Sequence, residues 1–119
     1  MTKEEFSTYV SVNYGVTPDN PFKDVDALVF RHKNNKKWFA LIMQVSNDKI
    51  MKLNKDEKVR NIDILDLKTD PLLRGDILKK KGVYVAYHMN KVHWITLNLE
   101  EVEREDLEFL LDLSFNLTK

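Results

Sequence analysis

The sequence predicts an α+β fold, an antiparallel sheet flanked by helices, and three observations carry that prediction. Short β-branched and aromatic runs recur with polar turn residues between them, which is the pattern of strands joined in hairpins. A capped segment near the start of the chain and an acid-led one near its end carry apolar residues at helical spacing. Between them, Asp70-Pro71 opens another helix. The order helix, strands, helix, hairpin, helix is that of a sheet covered by helices, and not of alternating parallel βαβ units. At 119 residues the chain makes a single domain, 1–119, large enough to bury a core without disulfides or metals.

Thr2 and Glu5 form a capping box for a first helix, along which Phe6, Tyr9, Val10 and Asn13 share a face. Gly15 closes it in a left-handed conformation. Thr17-Pro18-Asp19-Asn20-Pro21 is a connector. Ala27–His32 and Lys37–Val45 then form a hairpin around Lys33-Asn34-Asn35-Lys36. The second strand is apolar on both faces, with Trp38, Ala40 and Ile42 on one and Phe39, Leu41 and Met43 on the other, so it is central and covered on each side. Ser46–Asn61 has lysines every three residues at 49, 52, 55 and 58, a pattern that fits a short helix, a loop or a hairpin equally.

Ile62–Leu67 is a further strand. Asp70 as N-cap and Pro71 at the first helical position start a helix over Pro71–Lys80, with Leu72, Leu73, Ile77 and Leu78 inward. Lys79, Lys80 and Lys81 suit its carboxyl-end dipole, and Gly82 stops it. Val83–Leu97 is a second hairpin. If Asn90 and Lys91 are its two-residue loop, Met89 opposes Val92, His88 opposes His93 and Tyr87 opposes Trp94, which puts both histidines on one face. The last helix, roughly Glu103–Asn116, presents Leu107, Leu110, Leu111, Ser114 and Phe115 as its stripe, with acids in its first turns.

Composition removes several function classes. There is no cysteine, hence no disulfide or thiolate metal site. The polar start Thr2-Lys3-Glu4-Glu5 is unlike a signal peptide, and no apolar run approaches the roughly 20 residues that span a bilayer, so the expected location is cytoplasmic, without a membrane partner. Three glycines cannot assemble a phosphate loop or dinucleotide fingerprint, and neither Ser46 nor Ser114 sits in a nucleophile elbow. The expectation is a non-enzymatic protein without catalytic residues or cofactor. Asp24 with Asp26, and Asp63 with Asp66, are the carboxylate pairs, of a kind common on solvated edges.

Two cross-strand imidazoles at His88 and His93 would supply half a tetrahedral zinc shell, but no further ligand motif is near and no metal site is expected. Net charge is zero, yet residues 23–60 carry ten bases to five acids, and residues 99–112 seven acids to one base. The hairpin tips offer Lys33, Asn34, Asn35, Lys36 and Lys37 on one side and Asn90 and Lys91 on the other. Lysines neutralise phosphates, asparagine reads base edges, and a β-ribbon fits a groove.

Leu67-Lys68-Thr69-Asp70-Pro71, then Leu73-Arg74, Gly82-Val83 and Tyr87-His88-Met89-Asn90-Lys91-x-His93-Trp94-Ile95-Thr96, together with Pro21-Phe22, Lys37-Trp38-Phe39-Ala40 and Ser114-Phe115, closely resemble the MmcQ/YjbR family over nearly the whole chain. The resemblance implies a fold similar to CyaY, the bacterial frataxin homologue, and a double-wing mode of duplex DNA binding. It points to Lys68, Asp70, His88, Asn90, Lys91, His93 and Trp94. Two positions depart from the family pattern: Lys36 stands where glycine is usual, and Val92 where a base is frequent. The expected phosphate contacts are Lys33, Lys36, Lys37 and Lys91, with Asn35 beside them and Asn90 as base reader; Lys68 and Asp70 are structural. The alternatives are a protein or small-ligand groove near Tyr84, His88 and His93, and a frataxin-like metal surface at Glu100–Glu108.

Overall fold

The computed structural model describes all 119 residues. Five antiparallel strands form one sheet: β1 (Ala27–Arg31), β2 (Trp38–Ser46), β3 (Asn61–Lys68), β4 (Val83–Val85) and β5 (Trp94–Asn98), in the order β1-β2-β3-β5-β4. The helices are α1 (Lys3–Tyr14), α2 (Arg74–Ile77) and α3 (Arg104–Leu117). This is the predicted α+β fold.

The helical caps form as the local sequence dictates. Thr2 and Glu5 complete the capping box, with reciprocal bonds of 3.1 and 3.0 Å, and Gly15 ends α1 at φ 66°. Only Phe6 and Val10 of α1 are fully buried. The helix is further tied to α3 by Tyr9 and Tyr14, whose hydroxyls donate to Glu108 and Asp112 at 3.1 Å each. From α3, Leu107, Leu110 and Leu111 press onto the same sheet face, against Phe30, Phe39, Ala40, Ile42, Leu65, Leu67, Ile95 and Leu97. Each large side chain buried there contributes roughly 1.5–3 kcal/mol, so this layer holds the sheet and helices together.

A bulge shifts the phase of β2. Phe30 pairs with Ala40 but Arg31 with Trp38, which leaves Phe39 as the extra residue. Phe39 therefore joins Ala40 and Ile42 in the helix-facing core, while Trp38 joins Leu41 and Met43 on the opposite face. The predicted alternation through Trp38 is thus broken at one residue. The cause lies in α3. The buried Ser114 hydroxyl donates to Phe39 O at 2.6 Å and accepts from Lys68 N–H at 2.9 Å, occupying the place of the next β2–β3 rung.

Two other expectations change. The helix expected over Pro71–Lys80 shrinks to α2 flanked by turns. Asp70 does accept from Leu72 N–H at 2.9 Å, but i→i−3 bonds at Leu73 and Arg74 tighten the start and Gly75 weakens the centre. Ile77 is buried as expected, whereas Leu72 and Leu73 point outward. Lys79 pairs with Asp76, while Lys80 and Lys81 reach to Asp106 and Glu103 at the start of α3. Residues 47–60 contain one 3-10 turn, Asn47–Lys49, and are otherwise irregular. No helix is long and apolar enough to cross a membrane.

Candidate nucleic-acid interface

Strand register decides which turns meet. Arg31 pairs with Trp38, Ala40 with Leu67, and Lys68 with Trp94. The β1–β2 turn, the end of β3 and the β4–β5 connection therefore share one end of the sheet. Only β3 separates β2 from β5, so the nearer strands of the two connections lie about 10 Å apart, twice the interstrand spacing. Lys33, Asn35, Lys36, Lys37, Asn90 and Lys91, drawn from two distant segments, are brought together at this end, beside Lys68.

The first connection is rigid. His32 N–H donates to Lys37 O and Lys36 N–H to His32 O, both at 3.0 Å. Asn35 is used internally: its Oδ1 accepts from Lys37 N–H at 2.8 Å and its Nδ2 donates to Thr118 O at 3.0 Å. His32 is buried against Phe115, with Nε2 at 3.0 Å from Phe115 O and 2.8 Å from Thr118 Oγ1. Burial lowers its pKa, and the charges of Lys119 and Lys37 act the same way. The turn is thereby pinned to the end of α3, leaving Lys33, Lys36 and Lys37 exposed.

The second connection departs from expectation. Val85 pairs with Ile95, so residues 86–93 form an eight-residue loop and not a two-residue turn. The pairs Met89–Val92, His88–His93 and Tyr87–Trp94 do not form. Asn90 Oδ1 instead accepts from Val92 N–H at 2.9 Å and His93 N–H at 3.1 Å, an Asx turn that closes on itself. Three contacts from other segments hold the loop. Thr69 N–H donates to His93 O at 2.8 Å, Arg74 Nε to Lys91 O at 2.7 Å, and Tyr87 N–H to Thr96 Oγ1 at 2.8 Å. His88, at φ 64°, sets its ring against Tyr87 at a tilt of 53°, and both His88 and His93 stay exposed. Lys91 Nζ bends back to Ala86 O at 3.0 Å.

This loop lies on the sheet. Met89 packs on the Ala27–Val29–Leu41 cluster and Tyr87 on Val45, Ile62 and Ile64. Beneath it, between Leu41 and Thr96, is Asp66, with no exposed surface. The Thr96 hydroxyl donates to Asp66 Oδ1 while accepting from Tyr87 N–H; Oδ2 has no partner. Burial pushes the Asp66 carboxyl up to about 7 against the smaller opposing pull of Thr96. Asp66 was expected at a solvated edge beside Asp63. The two lie on opposite faces, and the loop covers Asp66. No signal within β3 announces that cover.

The motif residues Lys68 and Trp94 pair across β3 and β5, both half-buried, and Asp70 caps the turn after β3. Arg74, part of the Leu73-Arg74 motif, and Lys119 also stand at this end, the first bonded to Lys91 O and the second over the Phe115 ring. Glu100, Glu101, Glu103 and Glu108 each have a partner in Arg60, Tyr84, Lys81 and Arg104 respectively, and the Arg60 guanidinium holds the Glu100 carboxyl below its ordinary range. No three histidine or carboxylate side chains converge as a metal site would require. Tyr84 pairs with Thr96 in the sheet, and its hydroxyl donates to Glu101 Oε1 at 2.6 Å.

The chain is similar to proteins of several bacteria. The uncharacterized protein YyaQ of Bacillus subtilis strain 168 is 36% identical over 121 residues, covering 100% of this chain and 99% of the relative. A crystal structure of a Pseudomonas syringae protein, 40% identical, superposes over the whole of both chains with a TM-score of 0.91. One from Deinococcus radiodurans, 27% identical, matches 86% of this chain and 67% of its own, with a TM-score of 0.60. The family model YjbR matches residues 13–117, and with that match the sheet, its helices and the motif around Asn90 identify this chain as a member of the YjbR family.

Proposed function

We propose that the protein binds duplex DNA without catalysing a reaction, gripping the phosphate backbone with the two connections at the basic end of its sheet. One observation carries this reading. Lys33, Lys36, Lys37, Lys68, Arg74 and Lys91 gather at that end, and none is ion-paired with a carboxylate. Of the nearby acids, Asp19 is paired with Arg31, while Asp70 accepts from Leu72 N–H and keeps its charge, so the cations still outnumber the acids at this end. Unpaired cations carried on connections whose nearer strands lie about 10 Å apart suit a polyanion whose grooves are of similar width.

The double wing is asymmetric in this reading. The β1–β2 turn offers three exposed lysines, of which Lys33 leans back toward Gly15, whereas the 86–93 loop is a flap on the sheet that offers Lys91, His88 and His93. The side-chain oxygens of Asn35 and Asn90 are committed to the backbone, and Asn35 Nδ2 to Thr118, so base reading is left to Asn90 Nδ2 and Asn34 Nδ2 and sequence preference is weak. Location in the cytoplasm follows from the partner.

Fluorescence anisotropy with a labelled duplex of about 20 base pairs, between about 50 and 200 mM salt, tests the proposal. Log affinity should fall linearly with log salt, and Lys37→Ala and Lys91→Ala should each lower the slope by about 0.9. Slopes untouched by both substitutions, or no binding at the lowest salt, would sink it.

A further inference from the structure

A cavity of about 400 Å³ lies beside the first connection, lined by Val16, Thr17, Asp19, Arg31, His32, Lys33 and Lys36. Asp19 exchanges two backbone bonds with Val29, of 3.0 and 2.8 Å, so the segment after α1 runs along the outer edge of β1 as one wall. The β1–β2 turn is the other. Arg31 is fixed by Asp19, which accepts from Nε at 2.9 Å and Nη2 at 2.7 Å, so this pair is neutral and leaves Nη1 to donate. Lys33 folds back until its ammonium lies 3.9 Å from where a Cβ on Gly15 would stand. His32 contributes a buried ring whose pKa burial lowers. The lining therefore carries a charge of about +2, with no free carboxylate.

Lys36 supplies the second line of argument. Its φ of 64° is a left-handed conformation, which a lysine adopts at a cost that glycine would not bear. The turn's hydrogen bonds hold it there, and its side chain borders the cavity. Backbone strain at a residue whose charge lines a cavity is the kind of outlier that marks a binding site.

We propose that this cavity binds a phosphate dianion, free or as a monoester, held by Lys33, Lys36 and the free edge of Arg31. The inference goes beyond duplex binding, because a pocket of this kind fills with no duplex present. At this volume it admits a phosphate alone or one with its sugar.

The test is an NMR titration at ionic strength held constant with chloride, first with inorganic phosphate and then with adenosine 5′-monophosphate. Amides of residues 16, 17, 19 and 31–36 should shift together and saturate. Lys36→Gly keeps the backbone, relieves the strain and removes the charge. It should melt no lower than the wild type yet bind about tenfold more weakly, the factor for a lost charge-assisted hydrogen bond. Tighter binding of the nucleotide than of phosphate identifies a nucleotide as the source; equal binding identifies the free ion. A duplex with 5′-phosphate ends that binds more tightly than its 5′-hydroxyl twin identifies nucleic-acid ends. An unresponsive cavity, or a Lys36→Gly protein with unchanged affinity, overturns the inference. Salt-dependent duplex binding alongside a silent cavity removes this inference alone, while a responsive cavity without duplex binding removes the duplex reading alone.

Discussion

Asp66→Asn tests whether the loop over residues 86–93 seals a protonated acid inside the protein. The carboxyl has no exposed surface, receives one hydrogen bond from Thr96 and leaves Oδ2 without a partner. Its titration lies at about 7 in the folded protein, against about 3.9 in an unfolded chain. The folded state therefore holds this proton more tightly. Stability from Asp66 is complete below about pH 4, falls as pH rises toward 7 and is level above it. A gap of about 3 pH units at about 1.36 kcal/mol each gives a loss on the order of 4 kcal/mol. That figure is a ceiling, because lifting the loop would let water reach the carboxylate. Other titrating groups are common to both proteins, so the comparison isolates Asp66. Urea denaturation of wild type and Asp66→Asn at pH 5, 6, 7 and 8 should give stabilities that diverge with pH, in favour of asparagine. The divergence matters, not the offset, since the amide brings an unpaired donor of its own. Parallel profiles would refute the argument. If the ceiling is not reached because the loop opens, the protection of amides 87–93 relative to their intrinsic exchange rates should fall above pH 7 in the wild type and stay level in the variant.

Two further substitutions probe the frame around the site. Ser114→Ala strands Phe39 O and Lys68 N–H at the bulge, so it should destabilise the protein by about 2–4 kcal/mol in the same urea assay, whereas an exposed serine would cost almost nothing. Gly82→Ala should be at least as damaging, because φ is 80° and the new Cβ would lie 2.5 Å from Val102 N; a melting temperature within a degree or two of wild type would show that the backbone can yield there.

Features whose causes lie within a few residues were legible in the sequence. Thr2 and Glu5 cap α1 because they are three positions apart, Gly15 ends it because glycine tolerates positive φ, and the apolar spacing of α3 names its buried face. The strands of the first hairpin, β3 and the register-compatible ends of β5 follow from β-branched runs in the same way. What pairs distant segments was not legible. The second hairpin looked like a tight turn because Asn90-Lys91 invites one, yet Thr69, Arg74 and Thr96 offer the open loop hydrogen bonds that no local pattern records. Ser114, 75 residues from Phe39, sets the bulge that turns Trp38 away from the main core. Asp66 alternates like a solvated strand residue, and only the loop folded over it makes it a buried acid. The gathering of lysines 33, 36, 37 and 91 belongs to the same class, since strand order alone carries them to one end. Local sequence chooses among backbone conformations worth about a kcal/mol each, while register and burial are settled by contacts between parts of the chain that meet only once the sheet has closed.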